Sequence, residues 1–164
     1  MKKLDKEKII KVLDIILILI WMITIFIFSN EQGDESSNTS KKVTTMVVQA
    51  VSDKSVEENE NIIEQLDKVV RKLAHYSIYT LGGILIINYA YTTDKNMKQK
   101  VVYSIAFGAF YAITDEVHQF FVSDRSARIF DVGIDTLGVM TGILIYILIR
   151  KLFEKIRVHS RQKT

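Results

Sequence analysis

The stretch TDEVHQFFVSDRSARIFDVGID, residues 114–135, holds six acidic or imidazole side chains and two arginines between long apolar runs. Glu116 and His118 have the types of an acid/base pair, with Asp131 or Asp135 to orient or activate a reacting group. Arg125 carries the planar guanidinium that clamps a carboxylate or phosphate. A second group lies upstream, where Arg71 and Lys72 precede His75 and Tyr79, the last two one helical turn apart and so on one face. On a helix Asp131, Asp135, Gly138 and Gly142 also share a face, as do Gly108, Tyr111, Asp115 and His118, with Glu116 and Gln119 to either side. Gly138 and Gly142 form a GxxxG pair, which lets helices approach closely, so the face that carries the aspartates turns toward its neighbours.

Other readings of the same residues stay open. In one, Arg71, Arg125 and Arg128 neutralise Asp115, Glu116, Asp131 and Asp135 and lock helix ends together with no ligand involved. In another, His75, His118, Glu116, Asp131 and Asp135 supply oxygen and nitrogen ligands to zinc; but HExxH is absent, and a Glu-x-His spacing does not bring both side chains to one helix face. The sequence therefore assigns no metal and no cofactor. Ser126 lacks a Gly-x-Ser-x-Gly context and no glycine-rich phosphate loop occurs, which argues against a serine hydrolase and a nucleotide-binding protein.

What must position these groups follows from composition. Of 164 residues 48% are hydrophobic, gathered in blocks, and there is no proline and no cysteine. Blocks without proline suit long helices, and the missing cysteines exclude disulfides and thiolate metal sites. Residues 9–28 reach the roughly 20 residues that cross a bilayer core. They read as a retained span and not a signal peptide, since SNEQGDE follows with no small-residue cleavage site. Residues 73–91 and 129–149 are long enough as well. The run 101–114 is too short alone and reaches span length only by continuing to Val122, which sets Asp115, Glu116, His118 and Gln119 on its last turns. The expectation is an all-α, polytopic four-helix transmembrane bundle with spans at about 9–28, 73–91, 101–122 and 129–149.

Lysine and arginine sort the connections. They crowd the N-terminal tail, the 92–100 loop and the basic tail 150–164, three segments on one side of a four-span chain, so both termini are expected in the cytoplasm. The acid-rich segment 29–72 and the turn 123–128 are then extracytoplasmic, and the ionisable groups, Lys11 and Asp14 apart, share the outer ends of the spans. Ionisable groups in a membrane cost about 3 kcal/mol each on insertion scales, so they tend to be paired, wet and functional. Within the outer segment, residues 31–40 show no hydrophobic period and read as irregular. Two amphipathic helices follow, one through Val43, Met46 and Val47 and one through Ile62, Ile63 and Leu66, the second after a candidate capping box at Ser55. They would lie on the membrane or cap the bundle. Trp21 is expected to face lipid or to pack, and His159 to be solvated. Basic tails fit an anionic membrane surface better than a nucleic-acid footprint.

FSNEQGDESS (28–37), RKLAHYSIYTLGG (71–83) and TDEVHQFFVSDRSARIFDVGIDTLGVMTG (114–142) together resemble the VanZ family of bacterial membrane proteins, over about residues 15–148. The resemblance carries over Arg71, His75, Asp115, Glu116, Gln119, Arg125, Asp131 and Asp135. Where a proline commonly follows the aromatic of the third element, this chain reads Phe121, Val122, Ser123, which alters the turn before Arg125. The resemblance implies a multi-pass protein of the cell membrane that acts on, or competes for, a lipid-linked cell-wall precursor or a lipophilic glycopeptide, with a contribution to teicoplanin resistance. Three functions are thus expected: a binding protein with an outward polar cleft for an amphiphile, an intramembrane hydrolase or transferase acting on a lipid headgroup, or an inert helical scaffold.

Overall fold

The computed structural model describes residues 2–30, 33–51, 60–122 and 128–161. They form five α-helices with no strand among them: α1 (Lys2–Asn30), α2 (Gly33–Val51), α3 (Glu60–Tyr91), α4 (Met97–Phe120) and α5 (Ile129–Arg161). The all-α expectation holds. In α1, Lys6–Asn30 is long and apolar enough to cross a membrane, and in α5 so is Ile129–Val158. Their outward faces bear Leu13, Leu17, Ile20, Leu144 and Leu148, each about half exposed. Such continuous apolar surface suits lipid and is rare on a soluble monomer.

Helix α3 is the hub, in contact with each of the other four. Asn88 of α3 meets Asp14 of α1 while Ile78 meets Trp21, so these two helices run antiparallel. Helices α3 and α5 run parallel and touch backbone to backbone. A side chain at Gly138 would come within 2.6 Å of the Tyr76 carbonyl oxygen, and side chains at Gly142 and Gly83 would strike the backbones of Thr80 and Val139. This is the close approach that GxxxG permits, and a hydrogen bond between the Tyr76 and Thr141 hydroxyls at 2.7 Å fixes its register.

The core joins Trp21 and Ile25 of α1, Tyr79, Ile86 and Ile87 of α3, Ala112 of α4, and Val139 and Ile143 of α5. Trp21 packs and does not face lipid. Its ring fills the space that Gly82 leaves, stands edge-on to Tyr79 at 5.7 Å, and donates its N–H to the Ile78 carbonyl at 2.9 Å. Helix α4 opens on a capping box, with Asn96 accepting from the Gln99 N–H at 3.0 Å and Gln99 accepting from the Asn96 N–H at 3.2 Å. It runs through Asp115, Glu116, His118 and Gln119 on its last turns, as its length demanded.

Two expectations are corrected. Residues 33–40 are helical, because no proline interrupts them and a helix whose apolar face packs at Val48 extends into its polar flank at little cost. The second amphipathic helix is not separate from the following apolar run: both belong to α3, for no proline or glycine occurs from Glu60 to Leu81. The basic tail continues α5 as far as Arg161. Arg150, over the Tyr91 ring at 4.1 Å, ties that extension to the end of α3. The Ser55 box lies outside the described residues.

Candidate functional site

Because α3 runs unbroken from Glu60, its polar face carries Glu64, Asp67, Lys68, Arg71, Lys72 and His75 on consecutive turns. The last turns of α4 bring Glu116 and Gln119 against it, and the first turns of α5 bring Asp131 and Asp135. Together with Lys41 of α2, Arg128 and Ile134 they line a cleft of about 300 Å³. Ile134 is the one apolar residue in a lining of five acids, five lysines and arginines, one histidine and one glutamine.

The rim of the cleft is paired. Lys68 meets Glu64 at 3.2 Å in solvent, Arg71 Nη2 meets Asp67 Oδ2 at 3.0 Å, and Lys72 Nζ donates to Asp131 Oδ1. The Arg128 backbone N–H donates to Glu116 Oε1. The floor is different. Asp135 is 2% and Asp115 5% exposed, and His75 Nδ1 stands 3.7 Å from Asp135 Oδ2. Gln119 Nε2 donates to Asp115 Oδ2 at 3.0 Å. One ligand atom each from His75, Asp115 and Asp135 lie within 4.8 Å of one another, so these three could hold a metal ion. Below them the Tyr79 side chain is fully buried.

The cleft thus unites Arg71, His75, Glu116, Gln119, Asp131 and Asp135, with Asp115 directly behind them and Tyr79 beneath in the core. His118 is not part of it. Two positions from Glu116 on a helix is about 200° of rotation, and the His118 ring stacks on Phe26 of α1 with centroids 4.5 Å apart, its Nε2 buried and unpartnered. Glu116 and His118 are therefore not an adjacent pair. Of the residues weighed as zinc ligands in the sequence, only His75 and Asp135 come together, and Asp115 joins them in place of Glu116, His118 and Asp131. Of the arginine locks, Arg71 engages Asp67, and among the described residues no arginine pairs with Asp115 or Asp135. Arg125 lies outside the described residues.

Asp67, 3% exposed, was not anticipated, nor were Glu64, Lys68 and Lys41. The signal for Asp67 was present: Asp67, Arg71, His75 and Tyr79 follow one another at four-residue steps, a stripe interrupted on paper by starting the span at residue 73. A second polar cluster occupies the opposite end of the helices. Asn88 Nδ2 donates to Asp14 Oδ1 at 2.9 Å and the Tyr146 hydroxyl donates to Asn88 Oδ1 at 2.8 Å, joining α1, α3 and α5. Asp14 is thus buried.

Compared with known proteins, residues 14–150 match the family model described as VanZ/LLP1. No curated protein matches the chain. No solved structure does either.

Proposed function

The chain belongs to the VanZ/LLP1 family, whose model covers residues 14–150, and from that premise we propose that it is a multi-pass protein of the bacterial cell membrane whose polar cleft faces outward and holds the headgroup of an amphiphile. In this reading α1, α3, α4 and α5 all cross the bilayer, both termini are cytoplasmic, and α2 with the first turns of α3 covers the cleft from outside. The observation that carries it is the lining itself: a pocket with one apolar residue, set into helices that expose leucine and isoleucine elsewhere. Acids and bases in equal number suit a headgroup with anionic and polar parts, and Arg71 and Lys72, each more than a third exposed at the side chain, are within reach of it. The surplus of lysine and arginine in the two termini and across residues 92–100, where α3 gives way to α4, supports the orientation.

A lipid-linked cell-wall precursor or a lipophilic glycopeptide has the required form, an apolar tail and a polar head at the outer leaflet. Occupying either would link the protein to teicoplanin resistance. The test is titration of the chain, reconstituted in lipid nanodiscs, with each of the two. Saturable binding to one of them, weakened in Arg71→Gln, supports the reading; equal, unsaturable partition in both proteins overturns it.

A second reading, an intramembrane hydrolase or transferase acting on the headgroup, draws on the three-ligand cluster at the floor. Glu116 would serve as acid or base, with Asp131 or Asp135 as activator. Glu116→Gln separates the two readings, since it abolishes turnover but leaves binding.

A further inference from the structure

We propose that the floor of the cleft is a divalent metal site formed by His75, Asp115 and Asp135, taking zinc or manganese. Metal–ligand bonds of about 2.0–2.2 Å at tetrahedral angles set the ligand atoms about 3.4 Å apart. The three side chains, one each from α3, α4 and α5, present theirs within 4.8 Å of one another, so an ion among them draws each ligand atom in by under about 1 Å. One imidazole and two carboxylates make a borderline nitrogen and oxygen donor set that suits zinc and manganese, with at least one coordination position left over.

Charge supplies an independent reason. Asp115 and Asp135 are both buried, and a pair of carboxylates at this separation repel each other when ionised. Among the described cations of the cleft, Lys68 pairs with Glu64, Arg71 with Asp67 and Lys72 with Asp131. Among the described residues no lysine or arginine pairs with either floor carboxylate. Asp135 Oδ1 is buried with no hydrogen-bond partner, an unusual state for a carboxylate oxygen 98% enclosed with its residue. A divalent ion answers both deficits, and so would a single proton shared by the two carboxylates, an alternative that Asp135→Asn distinguishes. Gln119, donating to Asp115 Oδ2, then acts as an outer partner that orients the ligand.

His75 lines the cleft and keeps 29% of its side chain exposed, so an ion held by it would be reached from the cleft. The metal site stands on its own ligands. Its use, to bind an oxyanion of the headgroup, rests on the function proposed above.

The test is metal analysis of the untagged chain purified in nanodiscs without chelator, alongside thermal unfolding. The expected result is stoichiometric zinc or manganese, a fall in Tm on chelation and its recovery on adding back the metal. His75→Gln and Asp135→Asn should lose the metal, while Glu64→Gln at the rim keeps it. His75 is partly exposed, so its variant remains informative if Asp135→Asn does not fold. Substoichiometric metal with a Tm indifferent to chelation overturns the proposal. So does a metal-free protein in which Asp135→Asn is more stable than the parent, the sign of a dyad sharing one proton, or one in which Arg125→Gln alone collapses stability, the sign that Arg125 supplies the charge. If metal binds as expected yet neither amphiphile does, the headgroup reading fails and the metal site stands.

Discussion

Asp135 Oδ2 of α5 lies 3.7 Å from His75 Nδ1 of α3, and the two residues join at the cleft floor the same helix pair that Gly138 and Gly142 bring into backbone contact. The close packing is what makes the polar contact possible. A wider α3–α5 spacing would carry Asp135 away from His75 and open the floor to lipid or water.

That coupling can be tested by substitution at glycines. Gly142→Ala has no space, since its methyl group would strike the Thr80 carbonyl, and overpacking of this kind costs about 1–3 kcal/mol. Gly133 has nothing within 4 Å of a built Cβ, so Gly133→Ala gains helix propensity of about 0.5–1 kcal/mol. Thermal unfolding in detergent should move in opposite directions for the two variants.

Lys72 bridges α3 to Asp131 at the start of α5, and Arg71 is held by Asp67. Removing either cation should weaken the hold on the headgroup, and since Arg71→Gln also leaves Asp67, 3% exposed, without its partner, its Tm is measured beside its Kd. A hydrogen bond to a charged group contributes about 1.5–3 kcal/mol, so Arg71→Gln should raise the Kd for the amphiphile by roughly 10-fold or more. Native mass spectrometry across a lipid titration would measure it, and an unchanged Kd would remove Arg71 from the site.

His118 gives the reverse expectation. Its ring stacks on Phe26 and its Nε2 has no partner, so a phenylalanine would keep the contact and relieve a buried polar atom. His118→Phe should bind amphiphile as the parent does and unfold at the same or a higher temperature. A loss of binding comparable to that of Arg71→Gln would restore His118 to the site.

The Asp14–Asn88–Tyr146 chain lies at the other end of the helices from the cleft. Asn88→Leu strands a buried carboxylate and should destabilise the protein by about 1–3 kcal/mol while leaving amphiphile affinity unchanged. Scanning calorimetry and the same titration would separate the two effects.

Much of this was legible in the residues alone. Long apolar runs declare their helices, and the GxxxG pair announced α5 as a packing helix because small residues at four-residue spacing have few other uses in such a run. The extension of α4 through Gln119 followed from length. What the pattern hid was continuity: α3 joins an amphipathic segment to an apolar one, and dividing them at residue 73 dropped Asp67 from the stripe that it begins. Helix faces also could not say which neighbour each would meet. His118 and Asp115 lie three residues apart on α4, yet one turns to Phe26 of α1 and the other to the cleft floor, because α4 packs against both sides at once.

The reading depends most on the cleft opening to the outside of the cell. The chain has no cysteine of its own, so single cysteines at Lys68, on the exposed rim, and at Lys98, in the first turn of α4, can be probed with a membrane-impermeant maleimide. The prediction is that Lys68→Cys reacts in intact cells and Lys98→Cys only after permeabilisation. Labelling of Lys98→Cys from outside with Lys68→Cys protected would contradict it.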